Sequence, residues 1–269
     1  MNNLLVNSGF TIFGFTIKYY GLIIALAMCL GIFIACHLSK KRNLKPENIY
    51  ALALYILPLS ILGARTYYVI FSDQTFTFLE FFKIWEGGLA VYGGIIGGAI
   101  GVVLYCIIHK HNFWDIADIA CVSLILGQGI GRIGCYFSGC CYGVEVTNPA
   151  FQWFPFASLI NGTWHYSTYF YESFFAFIIF AVLFYLIKKK VKTRGVILSL
   201  YLICYGITRA IIETFRGDSL YFLGMKVSQL LSIILIITGI ILLIIIYTNK
   251  NKKVENNEKD NNTSNNSSN

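Results

Sequence analysis

The chain has 269 residues, 57% of them hydrophobic and only 13% charged, and carries a formal net charge of +8. Both fractions lie far from the soluble globular average, which excludes an ordinary water-soluble domain. The basic residues sit in short segments between apolar runs, a topological bias rather than a nucleic-acid signature, and no nucleic-acid partner is expected.

Taken in chain order, the apolar runs predict seven membrane-spanning helices over residues 19–38, 50–71, 88–108, 115–136, 170–187, 196–215 and 227–247. Each is close to the ~20 residues that a helix needs to cross a bilayer. The runs are continuous rather than alternating, which argues against a β-barrel. The fold class is therefore all-α integral membrane, with one seven-helix domain over residues 1–248. No basic stretch precedes the first run and no small-residue cleavage site follows it before Lys40, so it reads as a span and not as a cleaved signal peptide. Residues 144–169 carry Trp153, Phe154, Phe156, Trp164 and Tyr166, with Pro149 and Pro155, and are too long and aromatic for a plain connection. They are expected to fold as a lid or head. Residues 249–269 are rich in Asn, Ser and Lys and are expected to form a disordered polar cytoplasmic tail.

The charges predict an orientation. Lys40, Lys41, Arg42 and Lys45 follow the first span, Lys110 the third, and Lys188, Lys189, Lys190, Lys192 and Arg194 the fifth. Lys250, Lys252 and Lys253 follow the seventh. The alternate segments hold only Lys18, Lys83, Arg216 and Lys226, offset by Asp73, Glu80, Glu86, Glu145 and Asp218. The positive-inside rule then puts the N-terminus outside and the C-terminus in the cytoplasm of a bacterial plasma membrane.

In that orientation Arg65, Arg132 and Arg209 fall in the outer halves of the second, fourth and sixth spans. Tyr19, Tyr20, Tyr92, Tyr171, Glu172 and Gln229 stand at outer span ends, and the inner halves hold nothing comparable. An intramembrane arginine survives where it faces a polar cavity, and it marks a functional site by default. A single outward pocket is not the full-depth polar path of a channel or pump. Several guanidiniums there suit a phosphate, which the planar fork binds bidentately, so an anionic phospholipid of the outer leaflet is the expected ligand. Simpler readings remain open for single residues. Arg216, at a loop, has the place of a snorkelling arginine. Glu213 stands four residues after Arg209 and pairs with it on one helix face. The small-residue repeats at Gly93–Gly98 and Gly127–Gly131 suit close helix packing.

Cys29, Cys36, Cys106, Cys121 and Cys204 lie in apolar runs and read as small buried hydrophobes. Cys135, Cys140 and Cys141 cluster at the end of the fourth span, where three cysteines without a nearby histidine pattern signal a metal only weakly, and a disulfide and simple packing both remain open. No metal or organic cofactor is expected.

These residues together resemble the bacterial prolipoprotein diacylglyceryl transferases. The segment GRIGCYFSGCCYG, Gly131 to Gly143, is similar to that family's signature G-R-x-G-N-F-x-N-x-E-x-x-G. Tyr19-Tyr20-Gly21 resembles its W-Y-G, Gly63-Ala64-Arg65 its G-[AG]-R, and the segment from Gly87 to Gly94 its G-G-[ML]-x-x-H-G-G. Tyr171-Glu172-Ser173 is similar to the end of its H-P-[ST]-Q-L-Y-E-[AS]. The run from Tyr205 through Arg209 and Glu213 to Arg216 resembles Y-G-x-x-R-x-x-x-E-x-x-R, and Ser228 to Ser232 resembles G-Q-[IL]-L-S. The likeness covers nearly all of residues 15–248.

The resemblance implies transfer of the diacylglyceryl group of phosphatidylglycerol to the lipobox cysteine of a prolipoprotein signal peptide, by a monomeric enzyme. It implies Arg132, Arg209, Tyr92 and Tyr20 as catalytic residues, and Arg132, Arg65, Glu213, Arg216 and Gly143 as the phosphatidylglycerol site. This chain departs from the pattern at Tyr92, where the family has a histidine, and at Cys135, Ser138 and Cys140, where it has two asparagines and a glutamate. Tyrosine, with an ordinary pKa near 10 against about 6.5 for histidine, is a weak base at neutral pH. Two alternatives stay open: a related transferase with another acceptor, which those departures favour, and a non-enzymatic anionic-phospholipid-binding protein.

Overall fold

The computed structural model describes residues 9–12, 15–72, 76–84, 87–160, 162–189, 191, 193–217, 221–222 and 225–266. Asp73, Glu86, Lys190, Lys192 and Asp218, used in the charge argument, lie outside the described residues, as do the side chains of Lys252 and Lys253. Among the described residues, seven helices are long and apolar enough to cross a membrane. They are α1 (Tyr19–Ser39), α2 (Pro46–Phe71), α4 (Val91–His109), α5 (Phe113–Ser138), α6 (Thr168–Lys188), α7 (Val196–Glu213) and α8 (Val227–Asn266). A one-turn helix, α3 (Phe78–Phe81), precedes α4. A bilayer core offers no water to backbone amides, so each span must satisfy its own, and helices at the predicted positions are the outcome.

The chain divides into two compact units, residues 32–120 and residues 1–31 with 121–269. In the first, α2 and α4 pack through glycines. A Cβ on Gly101 would stand 3.0 Å from the Ile56 Cα, and Gly93 and Gly97 likewise face the backbone of Gly63 and Leu59. Between helices in lipid the hydrophobic effect gives little, so association rests on this close approach. Leu38, Ile49, Leu52, Tyr105, Ile116 and Ile119 are among the buried apolar residues of this unit. Arg42 donates to Asp118 at 2.6 Å, with both side chains almost wholly buried. This basic residue of the topology argument therefore also has a packing role.

The second unit opens with the hairpin β1 (Gly9–Ile12) and β2 (Phe15–Lys18), which runs directly into α1. Its core includes Val122, Ile125, Leu183, Ile197 and Ile212. Here α7 and α8 repeat the small-residue device: a Cβ on Gly206 would stand 2.9 Å from the Ser232 carbonyl oxygen, and one on Gly239 the same distance from that of Ser199. Between α5 and α6 a 3₁₀ turn at Pro149–Phe151 and the hairpin β3 (Ala157–Ile160) and β4 (Thr163–Tyr166) form a small head. Trp153 packs on Phe156 with ring centroids 4.8 Å apart, and Phe154 on Phe170 at 5.0 Å. The aromatic content that argued against a plain loop is spent on this packing. A short hairpin, β5 (Tyr221–Phe222) with β6 (Met225–Lys226), leads into α8.

One expectation differs in outcome. The polar residues after 248 continue α8 as helix to Asn266, whereas their composition predicts no fold. Extending a helix already nucleated by the apolar span adds one hydrogen bond per residue fixed and needs no new nucleus.

Candidate active site

The second unit gathers charge at one end of its helices. Arg132 lies on α5, six residues before its end at Ser138, and Arg209 lies on α7, four before its end at Glu213. Glu172 is in the N-terminal part of α6.

Glu172 is the hub. Its Oε2 accepts from Arg132 Nε at 2.5 Å, and its Oε1 accepts from Arg209 Nη1 at 2.5 Å and lies 3.7 Å from Arg216 Nη1. Arg209 reaches on to Glu213 Oε2 at 2.8 Å, the four-residue pairing expected from spacing, and to Ser228 Oγ on α8 at 3.3 Å. Buried charges persist only when paired and hydrogen-bonded. Three guanidiniums against two carboxylates leave a net positive charge in the cluster. Arg132 is its most accessible cation, its side chain 24% exposed against 15% for Arg209 and 11% for Arg216. Its ion pair with Glu172 is made through Nε.

The backbone around the cluster is tied down. Val144 N donates to the Phe215 carbonyl at 2.9 Å, and Gly143 bridges Arg216. Gly143 is buried, and a Cβ there would meet the Phe215 carbonyl oxygen at 2.6 Å. Its place is therefore a junction that sets Arg216, which is how this residue of the implied lipid site enters the structure. Lys226 Nζ donates to the carbonyls of Glu213 at 2.8 Å and Arg216 at 2.7 Å, closing the open C-terminus of α7. Arg216 thus sits in a built turn. One turn deeper than Arg132 on α5, Gln128 Nε2 donates to Tyr201 Oη at 3.1 Å. Ser173, next to Glu172, donates to the Gly129 carbonyl at 2.8 Å and fixes α6 against α5.

Tyr20 belongs to the same unit. Its ring packs on Gly134, where a Cβ would stand 3.0 Å from the Tyr20 Cδ2, and the residue is 41% exposed. Just beyond α5, Cys140 and Cys141 fold back towards Cys135, and all three are free thiols. Hydrogen bonding from the Cys135 and Cys140 thiols holds Cys141 below the ordinary thiol range, helped by the Arg132 and Arg216 guanidiniums.

Arg65 and Tyr92 lie in the other unit. Arg65 is 4% exposed, and its guanidinium donates to four backbone carbonyls: Phe81 at 2.9 Å, Gly87 at 2.8 Å, Gly88 at 3.2 Å and Glu80 at 2.5 Å. The rings of Tyr68 and Phe76 lie 5.7 and 5.5 Å from its charge centre. Such a residue clamps the loop before α4, a different task from the phosphate contact expected of it, because its donors are already engaged. The Thr77 amide and hydroxyl each donate to Glu80 Oε2 at 2.7 Å, which caps α3 and holds that carboxyl below its usual range. Tyr92 opens α4, 37% exposed, its ring 6.3 Å from that of Tyr67.

Arg132, Arg209, Arg216 and Glu213 are thus brought together, with Gly143 and Tyr20 in the same unit. Glu172 is the residue missing from the expected site. The sequence carries a signal for it: a carboxylate in an apolar span is costly unless it has cationic partners, and Arg132 in the preceding span has no partner on its own helix.

A family model described as prolipoprotein diacylglyceryl transferase matches residues 8–245. The chain belongs to the prolipoprotein diacylglyceryl transferase family. Among proteins of that family, the phosphatidylglycerol–prolipoprotein diacylglyceryl transferase of Finegoldia magna is 40% identical over 232 residues, 86% of this chain and 91% of its own. A Clostridium perfringens protein with the same name, numbered 1, is 38% identical over 238 residues, 86% of this chain and 90% of its own. One from Clostridium botulinum is 37% identical over 227 residues, 82% and 89% respectively. Against that family's signature, Cys135, Ser138, Cys140 and Tyr92 remain departures of this member.

Proposed function

We propose that this protein transfers the diacylglyceryl group of phosphatidylglycerol to the lipobox cysteine of a prolipoprotein, at the outer face of the plasma membrane. The N-terminus is outside and the C-terminal segment is cytoplasmic, on the charge asymmetry of the connecting segments. The observation that carries the reading is the Glu172 hub, three arginines on two carboxylates, with Arg132 the accessible member.

In this reading the phospholipid phosphate docks on the Arg132 fork. The acceptor thiolate sulfur attacks the diacylglyceryl carbon bonded to the phosphate oxygen. The C–S bond forms, the C–O bond breaks, and its electron pair leaves with glycerol phosphate. The phosphate passes from a diester of one negative charge to a monoester that gains a second. Cations fixed in place beforehand stabilise that added charge more in the transition state than in the bound substrate, which is what accelerates the step. Glu172 holds the guanidiniums in register without neutralising them all. The thiol proton goes to solvent or to a group at the outer face, and Tyr20 orients the head group.

Complementation tests this reading. In a strain depleted of its own transferase, this gene should restore lipid modification of a reporter prolipoprotein, and the Arg132→Ala variant should not. Turnover of phosphatidylglycerol by the purified protein with no lipobox peptide modified would point instead to another acceptor, the alternative that the Cys135, Ser138 and Cys140 departures favour.

A further inference from the structure

The three thiols beyond Arg132 have no part in the transfer step just described. Cys135 is in the last turn of α5, and Gly139 and Cys141 both take left-handed backbone, with φ of 60° and 61°. Those two reversals turn the chain back over the helix end. Cys141 carries no glycine's freedom, so its conformation is held by its surroundings. Thr168 Oγ1 donates to the Cys141 carbonyl at 2.7 Å, and Cys140 N to the Cys135 carbonyl at 3.2 Å. The three Sγ atoms therefore converge, all within 4.8 Å of one another.

We propose that Cys135, Cys140 and Cys141 form a trithiolate site for a thiophilic d¹⁰ cation of the Zn²⁺ and Cd²⁺ class. Metal–sulfur bonds of about 2.3 Å around one ion put the sulfurs about 3.8–4.0 Å apart, so at most roughly an ångström of inward movement completes the site. The backbone that positions them is already pinned. Three soft sulfur donors select against Mg²⁺ and Ca²⁺, which take oxygen ligands. Three thiolates around a divalent ion leave one negative charge, beside Arg132 one turn earlier on α5 and Arg216, which is bridged to Gly143. Cys135 is buried and Cys140 and Cys141 are half-buried, which leaves the ion an entry path and a fourth position for water. The site is independent of the acceptor that the enzyme uses.

The test uses the full-length protein in lipid nanodiscs, its thiols reduced with a phosphine and then counted. Titration with Cd²⁺ should raise the ultraviolet sulfur-to-cadmium charge-transfer band to saturation at one ion per chain. Excess Zn²⁺ should lower the band by competition, and excess Mg²⁺ should not. Cys140→Ser and Cys141→Ser should each lose saturation at one ion per chain over the range that saturates the wild type, with Cys204→Ser unchanged. A readout that needs no substitution guards against misfolding: Zn²⁺ should protect Cys140 of the wild-type protein from maleimide. Absence of the band with all thiols reduced, or a band that survives Cys140→Ser and Cys141→Ser together, would overturn the proposal.

Discussion

Substitution of Arg132 separates charge from geometry. Arg132→Ala removes one cation from the place where the leaving phosphate gains its second negative charge. A unit charge pair about 4 Å apart, at an effective dielectric near 20, is worth about 4 kcal/mol, which corresponds to a rate loss of up to ~10³-fold. Arg132→Lys keeps the charge and loses the fork. A hydrogen bond to a charged group contributes about 1.5–3 kcal/mol, so lysine should cost roughly ten- to a hundredfold in kcat/KM. Folding should survive both changes, because Glu172 keeps Arg209 at 2.5 Å and Arg216 at 3.7 Å and is not left as an orphaned carboxylate. The assay is transfer from labelled phosphatidylglycerol to a lipobox peptide in nanodiscs, read by the peptide's mass shift, with the thermal midpoint measured in parallel. Near wild-type turnover by Arg132→Lys would refute the bidentate role, and loss of the folded protein in Arg132→Ala would refute the claim that Glu172 needs only two partners.

Glu172→Gln should be the more damaging change to stability, since it removes the counter-ion of three guanidiniums; breaking such a buried arrangement costs about 3–5 kcal/mol, visible as a lowered thermal midpoint along with lost activity. Arg65→Lys should lower the thermal midpoint through lost carbonyl contacts while Arg132-dependent lipid binding persists; selective loss of phosphatidylglycerol binding with unchanged stability would restore Arg65 to the lipid site. Tyr92→Phe should reduce turnover about 10²-fold or more if its hydroxyl takes part in proton transfer, and turnover within about twofold of wild type across pH 6–9 would assign thiol activation to the arginine field alone. Cysteines engineered into 144–169 should react with impermeant maleimide outside intact cells, and cysteines engineered after 249 should not; the reverse pattern would invert the orientation and move the site to the cytoplasmic face.

The sequence by itself determined the seven spans, because in a bilayer every backbone amide must be satisfied within its own helix and the apolar run that allows this is local. It also exposed Arg132 and Arg209 as residues that lipid would not tolerate unpaired, and the Arg209–Glu213 contact, which follows from helical spacing alone. The partner of Arg132 was a different matter. Glu172 lies 40 residues away on another helix, and whether it faces α5, α7 or lipid depends on how each helix is rotated in the packed unit, which no local pattern records. The same holds for Arg65. Its place in an apolar span looked like that of Arg132, yet the loop before α4 folds over it and its donors go to carbonyls. The cysteines show the divide most directly: their presence is sequence, but the left-handed turns at Gly139 and Cys141 are what bring three sulfurs to one point. Long-range pairing of charged and polar groups is decided by packing, because a guanidinium or a thiol has no preferred partner until the backbone places one within reach.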